Sequence, residues 1–426
     1  MEFRVRPWAM LILLAVIMML TVGVYEYSAT VLITNMVRNL KLDRTGLGTV
    51  VGVNSMCVGL FSPLAGQVVH KWGARRAMIA GISVLLVASV SLATVVASLP
   101  ALIFVYGVLI GFGVALGTNV PAYTVATYWF NHRVAFAITS IGIATSLGGT
   151  IATPLLNSII VAPGGSYRTG WAVAAAGTLV ALLLAMFVIR NRPDRAEPVS
   201  TTQGAVPAGA SKLRRLLTTT VYKTPIEYQF RDAMRQSPVY WILAALVCAM
   251  CASSIVMVHG VAHLLDLGKP SAVAAGFIAT TLGFGIISNT IFALVGDHVE
   301  PRFAFSVALL LIGLGLTQLN NPDSGVGLWA VSALLGLGFA LPPRCTTTML
   351  INYFGRTAFS RLMGIAMFCM AMGPAVTAVS AGVVFDRFGS YSYVIYFFAA
   401  ACLILACAMP FIRPKGTDPL RAYASG

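Results

Sequence analysis

Long apolar segments separated by short polar loops run through most of the chain. A transmembrane helix needs about 20 predominantly apolar residues, and twelve segments approach or exceed that length. They cover residues 8–36, 46–69, 76–98, 100–128, 134–161, 170–190, 238–265, 271–295, 303–319, 327–353, 360–385 and 391–412. None shows the alternating pattern of a transmembrane β-strand. The pattern predicts an all-α polytopic membrane protein with 12 transmembrane helices.

Composition agrees with this fold class. The chain is 58% hydrophobic and only 10% charged, whereas soluble domains carry about 25% charged residues. The net charge of +15 does not indicate a nucleic-acid partner, because the basic residues lie in loops between the apolar segments. With both termini inside, 21 Lys and Arg lie on the cytoplasmic side and 6 outside. This asymmetry predicts a multi-pass protein of the cell (inner) membrane with cytoplasmic N- and C-termini.

Residues 191–237 interrupt the apolar series with a polar stretch. It contains Pro193, Pro198 and Pro207 and a basic run at residues 212–215. We interpret it as a cytoplasmic linker between an N-terminal six-helix bundle (residues 1–190) and a C-terminal six-helix bundle with a short cytoplasmic tail (residues 238–426). A flexible, solvated linker is favoured over a segment that lies on the membrane surface through residues such as Arg214, Arg215, Tyr228, Phe230 and Arg231.

The two predicted bundles are related by an internal repeat. Residues 111–116 (GFGVAL) match residues 336–341 (GLGFAL), and the Phe130 loop matches the Phe354 loop. The offset is 222 to 225 residues throughout. The repeat predicts two pseudo-symmetric bundles, and such repeats place a binding site near the membrane midplane, between the halves.

Arg344 is the one Lys or Arg that falls well inside a predicted span. A cation at the bilayer centre costs roughly 2.5–3.5 kcal/mol on insertion scales, so such residues face the protein interior or a water-filled cavity. Pro342 and Pro343 precede it, and each interrupts the helical hydrogen bonding because proline lacks a backbone N–H. We expect a functional site at Arg344; a structural ion pair in the bundle is the alternative.

The loop after the second span carries a known motif. Its sequence, from Gly66 to Arg76, resembles the Gly-x3-Asp-Arg-x-Gly-Arg-Arg signature of the major facilitator superfamily, with His70 in place of the acid. The corresponding loop of the second half keeps Asp297 but loses the glycine. The resemblance implies the two-bundle fold of that superfamily and a cytoplasmic gate. The residues assigned to gating are Gly66, Lys71, Gly73, Arg75, Arg76, Asp297, Asp386 and Arg387.

A finer resemblance points to the monocarboxylate and oxalate/formate porter branch. It rests on residues 128–133 with 142–149, on residues 259–268, and on residues 385–391. The chain departs from this branch at two positions. Asn289 stands where many members have a carboxylate-binding arginine, and Met370 where the oxalate type has a lysine. Arg344 is therefore the remaining cation in a span.

In this superfamily, helices 1, 4, 7 and 10 line the central cavity, and the conspicuous polar residues of the spans fall on these helices. The resemblance therefore implies two groups of site residues, to which Asn289 of the eighth span is added because it replaces the branch's arginine. Candidate substrate-binding residues are Arg344, Asn119, Tyr123, Tyr27, Asn289 and His259. Candidate proton-coupling residues are Glu26, His259 and His263.

Each candidate has a structural alternative. In the alternative for Glu26, its carboxylate forms a static ion pair with Arg344, because pairing offsets part of the cost of removing both charges from water. In the alternatives for the other candidates, the two histidines are hydrogen-bonded residues at a helix end, and Asn119 forms a hydrogen bond between two helices. The tyrosines then serve only in helix packing.

These features favour a secondary active transporter that moves a small, monocarboxylate-like organic anion by alternating access and is coupled to protons. The alternative is a transporter or exporter of a neutral or amphipathic molecule, with Arg344 in a structural ion pair. No nucleophile set or phosphate-binding loop indicates an enzyme. The partners expected are an organic acid, protons and the lipid bilayer, with no cofactor, no metal and no nucleic acid, and the protein is expected to work as a monomer.

Overall fold

The computed structural model describes residues 7–39, 44–130, 133–191, 221–319 and 325–413. Every regular element in these ranges is helical. The basic run at residues 212–215, including Arg214 and Arg215, lies outside the described residues, as do both chain ends.

The chain divides into two compact units, and each is described by itself. The first unit comprises residues 1–199 and 360–371, and the second comprises residues 200–359 and 372–426. The boundaries at residues 190 and 238, which were inferred from composition, stay a prediction.

Nine α-helices and two π-helices belong to residues 7–191 of the first unit. They are α1 (Pro7–Leu20), π1 (Gly23–Ser28), α2 (Ala29–Asn39), α3 (Arg44–Trp72), α4 (Ala74–Thr94), α5 (Leu99–Leu102), π2 (Ile103–Ile110), α6 (Gly111–Gly117), α7 (Asn119–Trp129), α8 (Val134–Val161) and α9 (Tyr167–Phe187). The count covers the described part of this stretch only.

The elements from residue 221 onward follow a similar order. They are α10 (Phe230–Met234), α11 (Ser237–Ser254), π3 (Ile255–His259), α12 (Gly260–Asp266), α13 (Ser271–Val295), α14 (Pro301–Leu319), α15 (Gly325–Phe339), α16 (Leu341–Phe388), α17 (Ser392–Ala408) and a 3₁₀ turn (Met409–Phe411).

Within the described residues, eleven helical stretches are long and apolar enough to cross a membrane. Ten of them match ten of the twelve spans predicted from the sequence. The eleventh, Gly327–Thr377, is 51 residues long and covers two predicted spans. Gly355 divides it, because its φ of 77° and ψ of −174° are not helical. The 12-helix architecture is therefore confirmed.

Close helix contacts hold the first unit together. A methyl group added at Gly81 would lie 2.2 Å from the backbone nitrogen of Gly117, so α4 and α6 approach with no room for a side chain. A methyl group added at Gly23 would likewise lie 2.8 Å from Gly148. Small residues that allow close backbone approach are a common basis of helix packing in membranes.

Residues 221–229 correct one expectation about the polar stretch. They have no regular secondary structure, with a bend at residues 225–226, and the backbone N–H groups of Tyr222, Thr224 and Tyr228 donate hydrogen bonds within the second unit. The interpretation as a flexible, solvated linker is wrong for these residues, because their backbone groups are hydrogen-bonded to protein. Phe230 and Arg231 follow in the short helix α10.

Candidate functional site

Arg344 lies near the start of a helix that follows an interruption. Helix α15 ends at Phe339, and α16 begins at Leu341, so that both prolines fall in its first turn. Proline is tolerated there because the first N–H groups of a helix have no intrahelical partner. Arg344 is half-buried, and its carbonyl oxygen accepts a hydrogen bond from Thr348 Oγ1 at 2.9 Å. The helix is interrupted here as predicted, although Ala340, between the two helices, keeps helical φ and ψ of −74° and −28°.

The repeat partner of Arg344 also follows a break. Thr118, with φ of −119° and ψ of −102°, separates α6 from α7, and Asn119 is the first residue of α7. Asn119 is half-buried, and Tyr123 is buried. The two are four residues apart and therefore lie on one helix face. Each repeat therefore interrupts its fourth span next to a polar residue. The irregular backbone at Thr118 is of the kind tolerated at membrane depth where protein encloses it or it lines a cavity.

Glu26 belongs to the π-helix π1, which joins α1 to α2. Its side chain keeps accessible surface although protein surrounds it closely, whereas the neighbouring Tyr25 is buried. The Tyr25 hydroxyl is hydrogen-bonded to Ser89 and, at 2.5 Å, to Thr178. These bonds tie π1 to α4 and α9. π-Helical turns are rare and recur at functional sites. The backbone of Tyr27 lies in the same turn, while its side chain lies outside the described part of the structure.

Tyr106 is a residue that the sequence did not single out. It is buried in a second π-helix, π2, and lies within electrostatic range of Glu26. Asn54 Nδ2 donates a 2.9 Å hydrogen bond to its carbonyl oxygen. In sequence, Tyr106 sits in a run of apolar residues and reads as packing. Its proximity to Glu26 identifies Tyr106 as a candidate, and a single sequence does not show that proximity.

The two candidate histidines of the seventh predicted span (residues 238–265) share one aromatic partner. His259 ends the third π-helix, π3, and stacks on Tyr391 at 4.9 Å between ring centroids. His263 meets the same ring edge-on at 6.3 Å, and Phe385 stacks on it at 4.4 Å. The structure therefore joins both histidines through Tyr391, which the sequence had placed only in a family-like motif.

Asn289 lies on α13, next to a contact with α15. The neighbouring Ser288 donates a 2.7 Å hydrogen bond to the carbonyl oxygen of Leu337. Asn289 Oδ1 is buried and accepts no hydrogen bond from the described residues. A buried amide oxygen without a donor is unfavourable by about 1–3 kcal/mol, so this atom is suited to accept a hydrogen bond from a ligand. Met370 is half-buried.

The signature loop of the first half forms a tight helix junction. Gly73, with φ of 89°, separates α3 from α4, a conformation that favours glycine. The Arg75 backbone N–H donates a 2.7 Å hydrogen bond to Asn191 Oδ1, and its guanidinium donates to the Met186 carbonyl oxygen. Lys71 and Arg76 are exposed. A methyl group at Gly66 would lie 2.5 Å from the carbonyl oxygen of Ser360.

The acidic gating candidate of the second half meets a residue of the 221–229 segment. Asp297 follows α13 in a turn and is half-buried, and its carboxylate acts electrostatically on Lys223. Arg387 is exposed near the end of α16, where Gly389 closes the helix with φ of 67°. The side chain of Asp386 lies outside the described part of the structure.

The chain matches one family model, described as Major Facilitator Superfamily, over residues 11–343 and again over residues 266–424. No curated protein matches it. Solved structures that resemble it include FucP, described as a transporter in the outward conformation, at 15% identity over 94% of this chain and 98% of that chain, with a TM-score of 0.70. A variant of the E. coli fucose:proton symporter FucP gives 14% identity, the same coverage and a TM-score of 0.70.

The proton:xylose symporter XylE bound to 6-bromo-6-deoxy-D-glucose is 13% identical over 96% of this chain and 97% of that chain, with a TM-score of 0.69. At these identities the likeness to solved structures shows the fold alone.

Proposed function

The chain belongs to the Major Facilitator Superfamily, and we propose that it is a proton-coupled secondary transporter of a small organic anion. Membership makes it a multi-pass membrane transporter of a small molecule. The anionic substrate, the proton coupling, alternating access and the likeness to the monocarboxylate and oxalate/formate branch are the proposed refinement. The asymmetry of Lys and Arg supports an orientation in the cell (inner) membrane with both termini in the cytoplasm.

Arg344 carries this proposal. It is the one Lys or Arg of the predicted span 327–353, it is half-buried, and it follows an interruption between α15 and α16. A guanidinium is always charged, and its forked N–H groups match a carboxylate. We assign Arg344 to the substrate carboxylate. Asn289 supplies an uncharged contact in the same unit through its buried Oδ1.

Glu26 is assigned to proton coupling. A carboxyl group at membrane depth is costly in lipid and is expected to meet protein or water, and the Glu26 side chain is exposed. Tyr25 fixes the π-helical turn through Ser89 and Thr178, which holds the carboxyl group in place. His259 and His263 are secondary candidates, since both lie against Tyr391.

The remaining assignments follow the repeat and the family motif. Asn119, Tyr123 and Tyr27 are proposed as substrate contacts from the first unit. The gating residues keep the assignments that the motif implies. The hydrogen bonds of Arg75 to Asn191 and Met186 support a structural junction at this loop.

A neutral solute is the second candidate substrate. Two observations favour it: Asn289 replaces the arginine of the monocarboxylate branch, and FucP and XylE are described as proton symporters of fucose and xylose. In this case Arg344 serves in a structural ion pair. A proton-coupling role for Glu26 is compatible with either substrate.

Ligand-dependent thermal stability of the purified full-length protein separates the two candidates. A ligand that binds the folded state raises the unfolding temperature. We expect small carboxylates, such as lactate, pyruvate, oxalate or formate, to stabilise the wild type, and Arg344→Gln to abolish the effect. Arg168→Gln is the matched control, since Arg168 is exposed and bonds the Thr94 carbonyl oxygen. Stabilisation by fucose or xylose alone overturns the anion assignment.

A further inference from the structure

Residues 222–228 form an irregular segment, here called the clasp, that binds the end of the first part of α16. The Thr224 N–H donates a 2.8 Å hydrogen bond to the Asn352 carbonyl oxygen, and the Tyr228 N–H donates at 3.2 Å to that of Phe354. These carbonyl groups lie in the last turn before the break at Gly355, where helical carbonyls lack intrahelical partners. The clasp therefore satisfies backbone groups at a helix end.

Glu300 joins the clasp to the same turn through both of its carboxylate oxygens. Oε2 accepts a 2.8 Å hydrogen bond from the Tyr222 N–H, and Oε1 accepts one of 2.8 Å from the Tyr353 hydroxyl. Glu300 is buried, and the Arg302 Nε lies 3.9 Å from Oε1. Hydrogen bonds to a charged acceptor are stronger than neutral ones. One buried carboxylate thus connects three segments of the second unit: the clasp, the start of α14 and the end of the first part of α16.

Glu227 makes the reciprocal connection from the clasp. Its Oε2 accepts a 2.8 Å hydrogen bond from the Thr357 N–H, just after the break. A methyl group at Gly355 would lie 2.6 Å from the same oxygen. The carboxylate therefore caps the resumed helix, where an anion is also favoured by the helix dipole.

Aromatic contacts complete the clasp and have a counterpart in the other repeat. Tyr228 meets Phe354 edge-on at 5.8 Å between ring centroids, and Tyr222 meets Tyr353 at 5.8 Å. In the first unit, Trp8 meets Phe130, the repeat partner of Phe354, edge-on at 5.6 Å. Each repeat therefore places an aromatic residue against the end of its fourth span: Trp8, in the first turn of α1, and Tyr228, which precedes α10.

Lys223 adds a charged contact to the clasp. Part of its side chain stays exposed. Desolvation of the ammonium group lowers the pKa of Lys223, and the positive charge of Arg356 lowers it further, whereas the Asp297 carboxylate raises it. Asp297 is the acid that the family motif had assigned to gating. Its electrostatic partner comes from the 221–229 segment, which the motif does not include.

We propose that the clasp positions the helix that carries Arg344, and that Glu227 and Glu300 are the positioning residues that hold it. Arg344 and Asn352 lie on one helical piece, eight residues or about 12 Å apart. Movement of the clasped end is transmitted along this piece, because a helix moves as a rigid element. The consequence for substrate binding rests on the proposed function of Arg344. The coupling between the clasp and the helical piece that carries Arg344 does not.

Hydrogen exchange of the full-length protein without substrate tests the coupling. The variants Glu227→Gln and Glu300→Gln replace a charged acceptor by a neutral one of the same shape. Loss of a charged hydrogen bond corresponds to a factor of about ten or more in local opening. We expect exchange to accelerate about tenfold at Tyr222, Thr224, Tyr228 and Thr357, and also to accelerate in residues 345–350, beside Arg344. Asp232→Asn, at an exposed position of α10, is the matched control and leaves both regions unchanged.

Tyr353→Phe provides a milder variant, since it removes one hydroxyl and keeps the ring contact with Tyr222. It is expected to accelerate exchange in the same two regions by a smaller factor. Faster exchange in the clasp with residues 345–350 unchanged overturns the positioning role, and unchanged exchange in the clasp overturns the clasp itself. Arg344→Gln is expected to leave clasp exchange at the wild-type rate. A failure of the anion assignment therefore shows in ligand binding, and a failure of the clasp shows in exchange.

Discussion

The Glu227 carboxylate accepts a hydrogen bond from the backbone N–H of Thr357, 130 residues later in the chain, at 2.8 Å. Thr357 lies just after the break at Gly355, which divides α16 into two helical pieces. A segment outside the spans therefore takes part in the structure of the second unit. The break, the carboxylate and the glycine depend on one another, so each is open to a separate test.

Gly355→Ala is expected to destabilise the protein. The residue has φ of 77° and ψ of −174°, a region essentially restricted to glycine, where another residue costs about 1–3 kcal/mol. The added methyl group would also lie 2.6 Å from Glu227 Oε2. Thermal unfolding should show a lower Tm for Gly355→Ala. Gly283→Ala, at an open helical position with nothing within 4 Å, should show no loss. Equal Tm values for the two variants would contradict the strained junction.

Asp297→Asn and Lys223→Met are expected to act differently on the clasp. Asp297→Asn leaves a partly desolvated ammonium without its carboxylate, whereas Lys223→Met removes the charge and its desolvation cost. The effect is at most about 1 kcal/mol, because the pair is partly exposed. Exchange at Thr224 and Tyr228 should therefore accelerate up to about fivefold in Asp297→Asn and stay near the wild-type rate in Lys223→Met. The reverse order would contradict the electrostatic account.

The lowered pKa of Lys223 also fixes the sign of a pH effect. The folded chain binds this proton less tightly than the unfolded chain. The stability that this group contributes therefore rises as the pH increases from the lowered pKa towards the ordinary lysine value. Lys223→Met should remove this part of the dependence of Tm on pH. The same dependence of Tm on pH in wild type and Lys223→Met would contradict the lowered pKa of Lys223.

Gly81→Ala is expected to disturb the contact between α4 and α6. Its new methyl group would lie 2.2 Å from the Gly117 backbone nitrogen, and backbone atoms cannot rotate away. Overpacking of this kind costs about 1–3 kcal/mol. Because Gly117 precedes the break before Asn119, uptake should fall together with Tm. Gly52→Ala, an exposed helical position with nothing within 4 Å, is the control. An unaltered Tm in Gly81→Ala would contradict the close approach.

The sequence was sufficient to predict the fold. The twelve apolar segments and the internal repeat follow from composition and spacing, and the structure confirms the architecture. The helix interruptions before Asn119 and Arg344 could be predicted in part from the sequence, since Pro342 and Pro343 mark the second of them. These features depend on local chemistry, which a single sequence records.

The contacts around the candidate site could not be predicted from the sequence. The π-helical turns that carry Glu26, Tyr106 and His259 have no sequence signature, because one extra residue in a turn depends on tertiary packing. The clasp was interpreted as a solvated linker for a similar reason. The backbone N–H groups of Thr224 and Tyr228 bond carbonyl groups more than 100 residues away, and polar composition gives no indication of such partners.

Transport by the reconstituted protein tests the central claim most directly. Proteoliposomes should be assayed for uptake of a stabilising carboxylate driven by a pH gradient, and for exchange of the same carboxylate at equal pH on both sides. The account predicts that Glu26→Gln loses gradient-driven uptake but retains exchange, because only the proton-coupled step needs its carboxyl group. It predicts that Arg344→Gln loses both, while Arg168→Gln and Asp232→Asn retain both. Gradient-driven uptake at the wild-type rate and apparent affinity in Arg344→Gln would contradict the account.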